Sequence, residues 1–361
     1  VILEKTGFFQ YLAIYTTKKS KGSPWLLLVA LTGLTSILSM ILDNVTTIIL
    51  IAPVTIIVAR TIGLNPTPFL FAEAILSNVG GTATLVGDPP NIMIGSAAHL
   101  SFNDFLVHSL PVVIVVWIIT LFVLKLFYRK EFQAGSKQID RLDTMNEKEA
   151  ITDMVTLRRM LFVLGLVVVL FFTHEFLHLE PSIIALMGAG LALLLVQAKK
   201  DPQQVFEKTE LSVLLFFISL FILVGGLEQT GVLSLVSSGL LAGAADNLLL
   251  TAIILLWGSA LLSALVDNIP FTVAMIPIIG YLGTTGTEVD LLWWALVFGV
   301  GFGGNGSPIG STAGVIIVSK SEQTDNPITF KGWIKQGVPI TIAALIIATG
   351  ALFLFDTFNI V

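Results

Sequence analysis

The sequence contains no cysteine and few charged residues. Of its 361 residues, 12% are Asp, Glu, Lys or Arg, whereas 55% are hydrophobic. The absence of cysteine excludes disulfide frameworks, thiolate metal sites and cysteine nucleophiles. The low charge, the mean hydropathy of +0.92 and apolar runs of bilayer-spanning length indicate an all-α, polytopic integral membrane protein.

The sequence also lacks a GxxxxGK[ST] phosphate loop, which excludes an ATP-driven pump within this chain. We expect no cofactor other than a coupling ion, either sodium or a proton. The expected partners are the lipid bilayer and a small solute, and nucleic acid is not among them.

An internal repeat organises the chain. Four segments recur in the same order at offsets of 223 to 228 positions: residues 4–7, 43–53, 80–87 and 101–111 match residues 228–231, 267–277, 303–310 and 329–339. We therefore divide the chain into a first copy at 1–128, a charged linker at 129–157 and a second copy at 158–361. Three apolar spans precede the matched segments only in the second copy, so we expect about three spans to precede residue 1 in the complete protein.

The positions of Lys and Arg predict the orientation of the two copies. We interpret residues 25–60 and 248–280 as re-entrant hairpins, and residues 66–99 and 293–319 as crossings broken by polar segments. Ordinary crossings are predicted at 110–128, 159–173, 181–197, 211–227 and 338–356. Every Lys and Arg then lies in or beside a cytoplasmic segment, including the linker, and the two copies have opposite orientations. Such inverted repeats are typical of secondary transporters of the cell (inner) membrane, which bind their substrate where the repeats meet.

Each hairpin has an acidic tip in an otherwise apolar run. A carboxylate at membrane depth is costly unless it is paired, hydrated or neutralised, so these tips are candidate ion-binding sites. The candidate ligands are Asp43, Asn44, Thr46 and Thr47 in the first copy and Asp267, Asn268 and Thr272 in the second. Sodium is a candidate ion at the two Asp-Asn pairs. The alternative is that both aspartates only cap helices.

The broken crossings supply the second group of candidate ligands. The first contains Gly80, Gly81, Thr82, Thr84, Gly87, Asp88, Pro89, Pro90 and Asn91, and the second contains Gly303, Gly304, Asn305, Ser307, Gly310, Ser311 and Thr312. Gly80, Gly81 and Gly87 permit unusual dihedrals and the double proline cannot continue a helix, so we expect the first crossing to unwind. Unwinding would expose the amides of the next half-helix to an anion. The alternative, a glycine-rich close helix contact, explains neither the prolines nor Asp88.

Glu73 precedes the first break and aligns with Val297, so the repeat gives it no acidic counterpart. A buried carboxylate in a span is costly, which makes it a candidate for function. Two interpretations stay open, a proton carrier and a buried acid satisfied by a neighbour.

The stretch THEFLHLEP contains His174, Glu175 and His178, which match the HExxH zinc signature. That signature needs both histidines on one helix face and a third ligand. Here we expect a short loop between two crossings, followed closely by Pro181. An intramembrane zinc metalloprotease is therefore a remote alternative, and the protein is not expected to be an enzyme.

The motifs DNVTTIILIAPVTI and NVGGTATLVGDPPNIMI resemble those of the ion transporter superfamily. The resemblance is to the branch of arsenite permeases, NhaD-type sodium/proton antiporters and the P protein, with a citrate-transporter-like domain. It implies that Asp43, Asn44 and Thr46 form the first hairpin tip and Asp267, Asn268 and Thr272 the second. It also implies alternating access and a homodimer.

These observations predict a secondary active transporter that moves a small inorganic ion or metalloid, by sodium/proton exchange or arsenite efflux. Aspartate at both tips favours such a substrate over a multiply charged anion. The alternative is a sodium- or proton-coupled symporter of citrate-like carboxylates. A channel would show the same polar breaks and is distinguished only by its inability to drive uphill transport.

Overall fold

A computed structural model describes residues 2–21, 23–133, 147–196, 247–284 and 288–360, together with a few isolated positions. In these ranges the chain is helical and forms no strand, which confirms the all-α prediction. The helices are α1 (Phe8–Lys19), α2 (Pro24–Ser39), α3 (Asn44–Thr61), α4 (Thr67–Gly81), α5 (Pro89–Ala98), α6 (Phe102–Phe127), α7 (Arg129–Gln133), α8 (Met154–Leu177), α9 (Pro181–Val196), α10 (Leu248–Leu265), α11 (Asn268–Thr284), α12 (Asp290–Gly303), α13 (Thr312–Ser321) and α14 (Phe330–Phe358). The predicted span at 211–227 and the repeat match at 228–231 lie outside the described ranges.

Five of these helices are long and apolar enough to cross a membrane by length and composition, namely α3, α6, α8, α10 and α14. Apolar helices α2, α9, α11 and α13 are shorter. The protein is thus a multi-pass integral membrane protein. How each helix lies in the bilayer, including the re-entrant nature of the two helix pairs, stays a prediction.

Two tight turns join helices into antiparallel pairs, α2 with α3 and α10 with α11. Residues 40–43 form the first turn, and Asp43 begins α3 by accepting a hydrogen bond from the Thr46 amide at 2.8 Å. Asn247 begins α10 in the same way, accepting from the Leu250 amide at 2.9 Å. We call α2 and α3 the first hairpin, and α10 and α11 the second hairpin.

Each hairpin is followed by an interrupted helix. The first interruption is residues 82–88, between α4 and α5, and the second is residues 304–311, between α12 and α13. Both lie within the predicted broken crossings. Residues 304–306 form a short 3-10 turn, so the second interruption also departs from α-helical geometry.

Gly80, Gly81 and Gly87 do not use the left-handed dihedrals that glycine permits, since none of the three has a positive φ. Close packing explains these glycines instead. A Cβ on Gly80 would lie 2.6 Å from the Ser36 carbonyl oxygen, and one on Gly81 would lie 2.7 Å from the Gly87 carbonyl oxygen. The close helix contact, considered above as an alternative, therefore accounts for the glycines and leaves the chemistry to the polar residues.

Packing relates the two copies reciprocally. Helix α2 packs on α4 as α10 packs on α12, and α3 meets α13 as α11 meets α5. The Ser39 hydroxyl donates to the Ser77 carbonyl at 2.7 Å, and Ser263, 224 positions after Ser39, donates to the Val300 carbonyl at 3.1 Å. This register pairs residue 77 with residue 300, so Leu296 and not Val297 stands opposite Glu73. The inverted orientation of the copies stays a prediction.

Helices α4 and α12 form the centre of the core. Every residue from Pro68 to Gly81 and from Leu291 to Gly303 is buried, so both helices are enclosed on all sides. Helices α8 and α9 pack mainly against each other and expose large apolar side chains such as Phe162 and Leu186. Such surfaces are suited to contact with lipid, whereas the enclosed helices carry the interruptions.

The predicted linker at 129–157 includes helix α7, a 3-10 turn at Glu147–Ala150 and the first residues of α8. Its middle, 134–146, lies outside the described ranges. The Lys18 ammonium is 2.6 Å from the Glu147 carboxylate, and the Thr152 amide donates to the Thr6 carbonyl. The end of the linker is thus attached to the beginning of the chain. The division into repeats and linker stays a prediction.

Candidate functional site

The tips of both hairpins and both interruptions converge on one buried cluster of polar side chains. At its centre is Asn78 on α4, which is 1% exposed. Its Nδ2 donates to Asn305 Oδ1 and to Ser311 Oγ, each at 2.9 Å, and its Oδ1 accepts from Asn44 Nδ2 at 3.0 Å. One side chain therefore connects the first tip to the second interruption.

A second set of contacts crosses in the opposite direction. Asn268, at the second tip, donates from Nδ2 to Asp88 Oδ2 in the first interruption at 3.2 Å. Asp267 accepts at Oδ2 from the Thr312 hydroxyl at 2.7 Å. The second tip thus contacts both its own and the other copy's half of the site, and the first tip reaches the second copy through Asn78. This is expected for a site at a repeat interface.

Three carboxylates occupy this cluster. Asp88 is 2% exposed and interacts electrostatically with both Asp267 and Asp43. Among the described residues, no basic side chain contributes to the electrostatic environment of Asp88. Like charges at short range in a site of low dielectric constant repel strongly unless a cation or a proton neutralises them. The arrangement is suited to binding cations.

Several buried polar atoms in the cluster have no hydrogen-bond partner among the described residues. Three of these unpartnered atoms are oxygens, namely Asn44 Oδ1, Thr47 Oγ1 and Asn91 Oδ1. Buried acceptors are normally satisfied, and exceptions call for an explanation. Neutral amide and hydroxyl oxygens are the ligands that hard cations take in proteins. The Asn305 Nδ2 group, in contrast, is a buried donor that has no acceptor among the described residues.

Other predicted site residues hold the backbone in place. Thr84 donates to the Met40 carbonyl at 2.6 Å and Ser307 to the Ala264 carbonyl at 2.5 Å. The first interruption is thus attached to the turn of its own hairpin, and the second to the end of α10. Thr82 and Thr272 bond to carbonyls within their own helices, and Asn91 Nδ2 spans the first interruption to the carbonyls of Gly81 and Thr84. These side chains position the site, and their hydrogen-bonding capacity is largely used within the fold.

The two half-helices that follow the interruptions begin differently. Ser311 caps α13 by accepting from the Gly314 amide at 3.2 Å, whereas Asp88 makes no side-chain cap on α5. Pro89 and Pro90 occupy the first two positions of α5 and have no N–H to donate. Our expectation that α5 presents its amides to an anion is therefore wrong at these two positions. The prolines instead leave the Asp88 carboxylate free for Asn268.

Both tip aspartates accept hydrogen bonds at the start of a helix, so capping accounts for part of their role. Asp43 caps α3, and Asp267 Oδ1 accepts from the Ile269 amide at 3.2 Å. In each case the cap uses one carboxylate oxygen. The second oxygen of Asp267 faces Thr312, and both aspartates remain partly exposed, unlike Asp88.

The zinc signature is not assembled. His174 lies within α8 and accepts from the Phe102 amide at 3.2 Å, whereas His178 follows the end of the helix with a φ of 50°. The expected loop is therefore wrong for His174. Both histidines line a cavity of about 650 Å³ together with His99 and Glu180. In the described part of the chain, no group of three His, Asp or Glu side chains is arranged to hold a metal ion, and the side chain of Glu175 lies outside that part.

Asn78 was missing from the predicted site. It is the first residue of the motif NVGGTATLVGDPPNIMI, but it precedes the glycines and continues an apolar helical pattern. A signal was present, since a carboxamide in an apolar span is costly without partners. Its counterpart in the second copy is Gly301, so the repeat gave it no support.

Known proteins with similar sequences are membrane proteins and transporters. The chain is similar to a 46 kDa membrane protein of Mycobacterium leprae, with 39% identity over 96% of this chain and 81% of that protein. It is 39% identical to an uncharacterized transporter of Mycobacterium tuberculosis over 98% of this chain and 82% of the relative. It is also 29% identical to the human P protein, over 95% of this chain and 50% of that protein.

These relatives and the helical membrane fold define the class, which is that of membrane transporters and not of enzymes. A family model described as citrate transporter matches residues 1–299. The chain belongs to the citrate transporter family, and the expected membership in the ion transporter superfamily is confirmed.

Proposed function

We propose that the protein is a secondary active transporter that binds a small inorganic ion or metalloid between its two hairpin tips. Sodium/proton exchange and arsenite efflux are the reactions that fit this proposal. Alternating exposure of the site to the two sides of the inner membrane would move the substrate outward. A homodimer is the expected assembly, because the resemblance to the arsenite permease branch implies one.

The convergence of Asp43, Asp88 and Asp267 supports this proposal most directly. The three carboxylates lie near unpartnered carboxamide and hydroxyl oxygens, without a basic side chain near Asp88. This combination favours a cation, a proton or a neutral hydroxide over an anion, because each carboxylate repels negative charge.

A citrate-like carboxylate is the second candidate, favoured by the description of the matching family model. The buried donor Asn305 Nδ2 and the proline-free start of α13 are the features that suit an anion. A tricarboxylate would bind here only with cations that offset the three aspartates. In the first candidate function a small ion is itself the transported substrate, whereas in the second a cation accompanies a transported carboxylate.

Currents on a solid-supported membrane test the proposal. Proteoliposomes with the full-length protein would receive sodium, arsenite and citrate in turn, with and without a proton gradient. The variants are Asp43→Asn and Asp267→Asn, and the control is Asp290→Asn, an exposed aspartate at the start of α12. We expect at least a tenfold loss of current in both tip variants and none in the control.

Unchanged currents in both tip variants would reject the site. A current with citrate alone would select the second candidate. Flux that never runs uphill on an imposed proton or sodium gradient would show a channel and reject secondary active transport.

A further inference from the structure

Glu73 lies on α4, away from the cluster of tip residues. It is fully buried, and its Oε1 accepts a hydrogen bond from the Thr55 hydroxyl on α3 at 2.5 Å. Its second oxygen, Oε2, has no hydrogen-bond partner among the described residues. Thr55 is itself completely buried, so the pair is sealed between the first hairpin and the first interrupted helix.

Among the described residues, no counter-charge faces this carboxyl group. Helix α2 and the turn at Gly304–Gly306, which both pack on α4, have no titratable side chain. The other helices packed on α4 carry these titratable groups: Arg60, Asp104, His108, Lys125, Asp290 and Lys320. None of them interacts electrostatically with Glu73. An ionised carboxylate in such a place is uncompensated, so the group is stable here only with a proton bound.

The second copy shows that the fold does not need this polar pair. The counterpart of Thr55 is Ile279, and the counterpart of Glu73 in the register of α12 is Leu296; both are 0% exposed. The same place between hairpin and interrupted helix is therefore filled by two aliphatic side chains. A purely structural role for Glu73 does not account for the leucine at the equivalent place in the second copy.

We propose that Glu73 and Thr55 form a proton-binding site, separate from the substrate site and present in the first copy only. The inference rests on the proposed function for its role in coupling, since a bound proton matters to transport only if the site changes its exposure during the cycle. Helix α4 carries both Glu73 and Asn78, and Asn78 contacts both copies at the substrate site. A movement of α4 relative to α3 would therefore change the two sites together.

Infrared difference spectroscopy on the full-length protein in lipid tests the site itself. A protonated Glu73 gives a carboxylic C=O stretch, which a pH titration bleaches as the proton leaves. We expect this component to be lost in Glu73→Gln and in Glu73→Leu, which copies Leu296, and to shift in frequency in Thr55→Ile. Ser259→Ala removes a buried hydroxyl on α10 that has no hydrogen-bond partner among the described residues, and as a control it retains the band.

Transport and thermal stability supply the independent readouts. We expect currents driven by a proton gradient to fall at least tenfold in Glu73→Gln. The double variant Thr55→Ile with Glu73→Leu should unfold at the wild-type temperature or above, because it reproduces the packing of the second copy. A lower unfolding temperature for both this variant and Glu73→Gln would assign Glu73 a structural role and overturn the inference.

The measurements distinguish failure of the proton-binding site from failure of the proposed transport function. An unchanged carboxylic band in Glu73→Gln overturns the proton site, whatever the currents show. A wild-type protein that has the band but transports nothing uphill rejects secondary active transport and leaves the proton-binding site standing.

Discussion

The two copies share a backbone arrangement and differ in chemistry. In both, the first helix of the hairpin packs on an interrupted helix through glycines, and a serine hydroxyl bonds to a carbonyl of that helix. At the interruption, however, the first copy has Asp88 followed by two prolines, and the second has Ser311, Thr312 and Ala313. The packing of hairpin on interrupted helix is duplicated, whereas the Asp88 carboxylate has no counterpart in the second copy.

A second pair of contacts supports the same point. The Ser109 hydroxyl bonds to the Thr82 carbonyl at 2.6 Å, and the Trp333 indole bonds to the Asn305 carbonyl at 3.0 Å. Thr82 and Asn305 occupy equivalent positions, so in each interruption one carbonyl near its start bonds to a side chain of the next long helix, α6 or α14. The requirement that buried backbone groups be paired is met twice, by different side chains.

Making the first interruption resemble the second should have the largest effect. Asp88→Ser removes one of three carboxylates and leaves Asn268 Nδ2 without its acceptor. We expect at least a hundredfold loss of transport, equivalent to about 2.7 kcal/mol at 1.36 kcal/mol for each factor of ten. Currents on a solid-supported membrane measure it, with Asp290→Asn as the control. Activity near the wild-type value would mean that the charge difference between the copies has no bearing on the substrate.

Alanine substitutions at the duplicated glycine contacts should lower the stability of the protein by similar amounts. A Cβ at Gly80 would lie 2.6 Å from the Ser36 carbonyl oxygen, and one at Gly303 would lie 2.6 Å from the Ala260 carbonyl oxygen. We expect Gly80→Ala and Gly303→Ala each to destabilise the protein by about 1–3 kcal/mol through overpacking. Thermal unfolding in detergent measures this effect.

Gly350→Ala is the matched control, since no atom lies within 4 Å of a Cβ placed there and the residue is helical. It should be neutral or stabilising by up to about 1 kcal/mol. A large effect at only one of Gly80 and Gly303 would argue against equivalent packing in the two copies.

The duplicated serine hydrogen bonds provide a finer comparison. Ser39→Ala and Ser263→Ala each remove one side-chain bond to a helix carbonyl. We expect a loss of about 0.6–1 kcal/mol in each case, the usual range for such bonds in membrane proteins. Ser259→Ala removes a buried hydroxyl that bonds to none of the described residues and should cost nothing. Unfolding temperatures that rank the three variants in another order would contradict the assigned register.

The smallest effect is expected at a contact that only the first copy has. The bond from Lys18 lowers the pKa of Glu147 below its usual value of 4.5. Because the folded-state pKa is the lower one, the stabilising contribution is present above pH 4.5 and is lost as the pH falls through the lowered pKa. By sequence, the counterpart of Lys18 is Ala242, so the second copy has no such pair.

Glu147→Gln should therefore cause a slight decrease in unfolding temperature at pH 7 and none in acid. The pair is partly exposed, so high salt should reduce the difference at pH 7. A decrease that persists in acid would show that the carboxylate charge is not its cause.

Patterns along the chain predicted much of this molecule. Apolar runs indicated helices in a membrane, because a helix pairs all its backbone groups within one segment, as hydrocarbon requires. The recurrence of Asp-Asn, of the glycine breaks and of their spacing identified both tips and both interruptions before any contact was known. Glu73 was singled out by the cost of its charge alone.

Only the tertiary structure decided which of these polar residues meet. The Asn78 network and the bond from Asn268 to Asp88 join segments from different copies, and no local pattern encodes such a distant pairing. The role of the glycines is decided in the same way, since a close approach depends on the partner helix and not on the glycine. The sequence by itself determined where polar groups interrupt the apolar helices, because that cost is local. Packing determined which groups share the buried site, because it depends on how the two copies fit together.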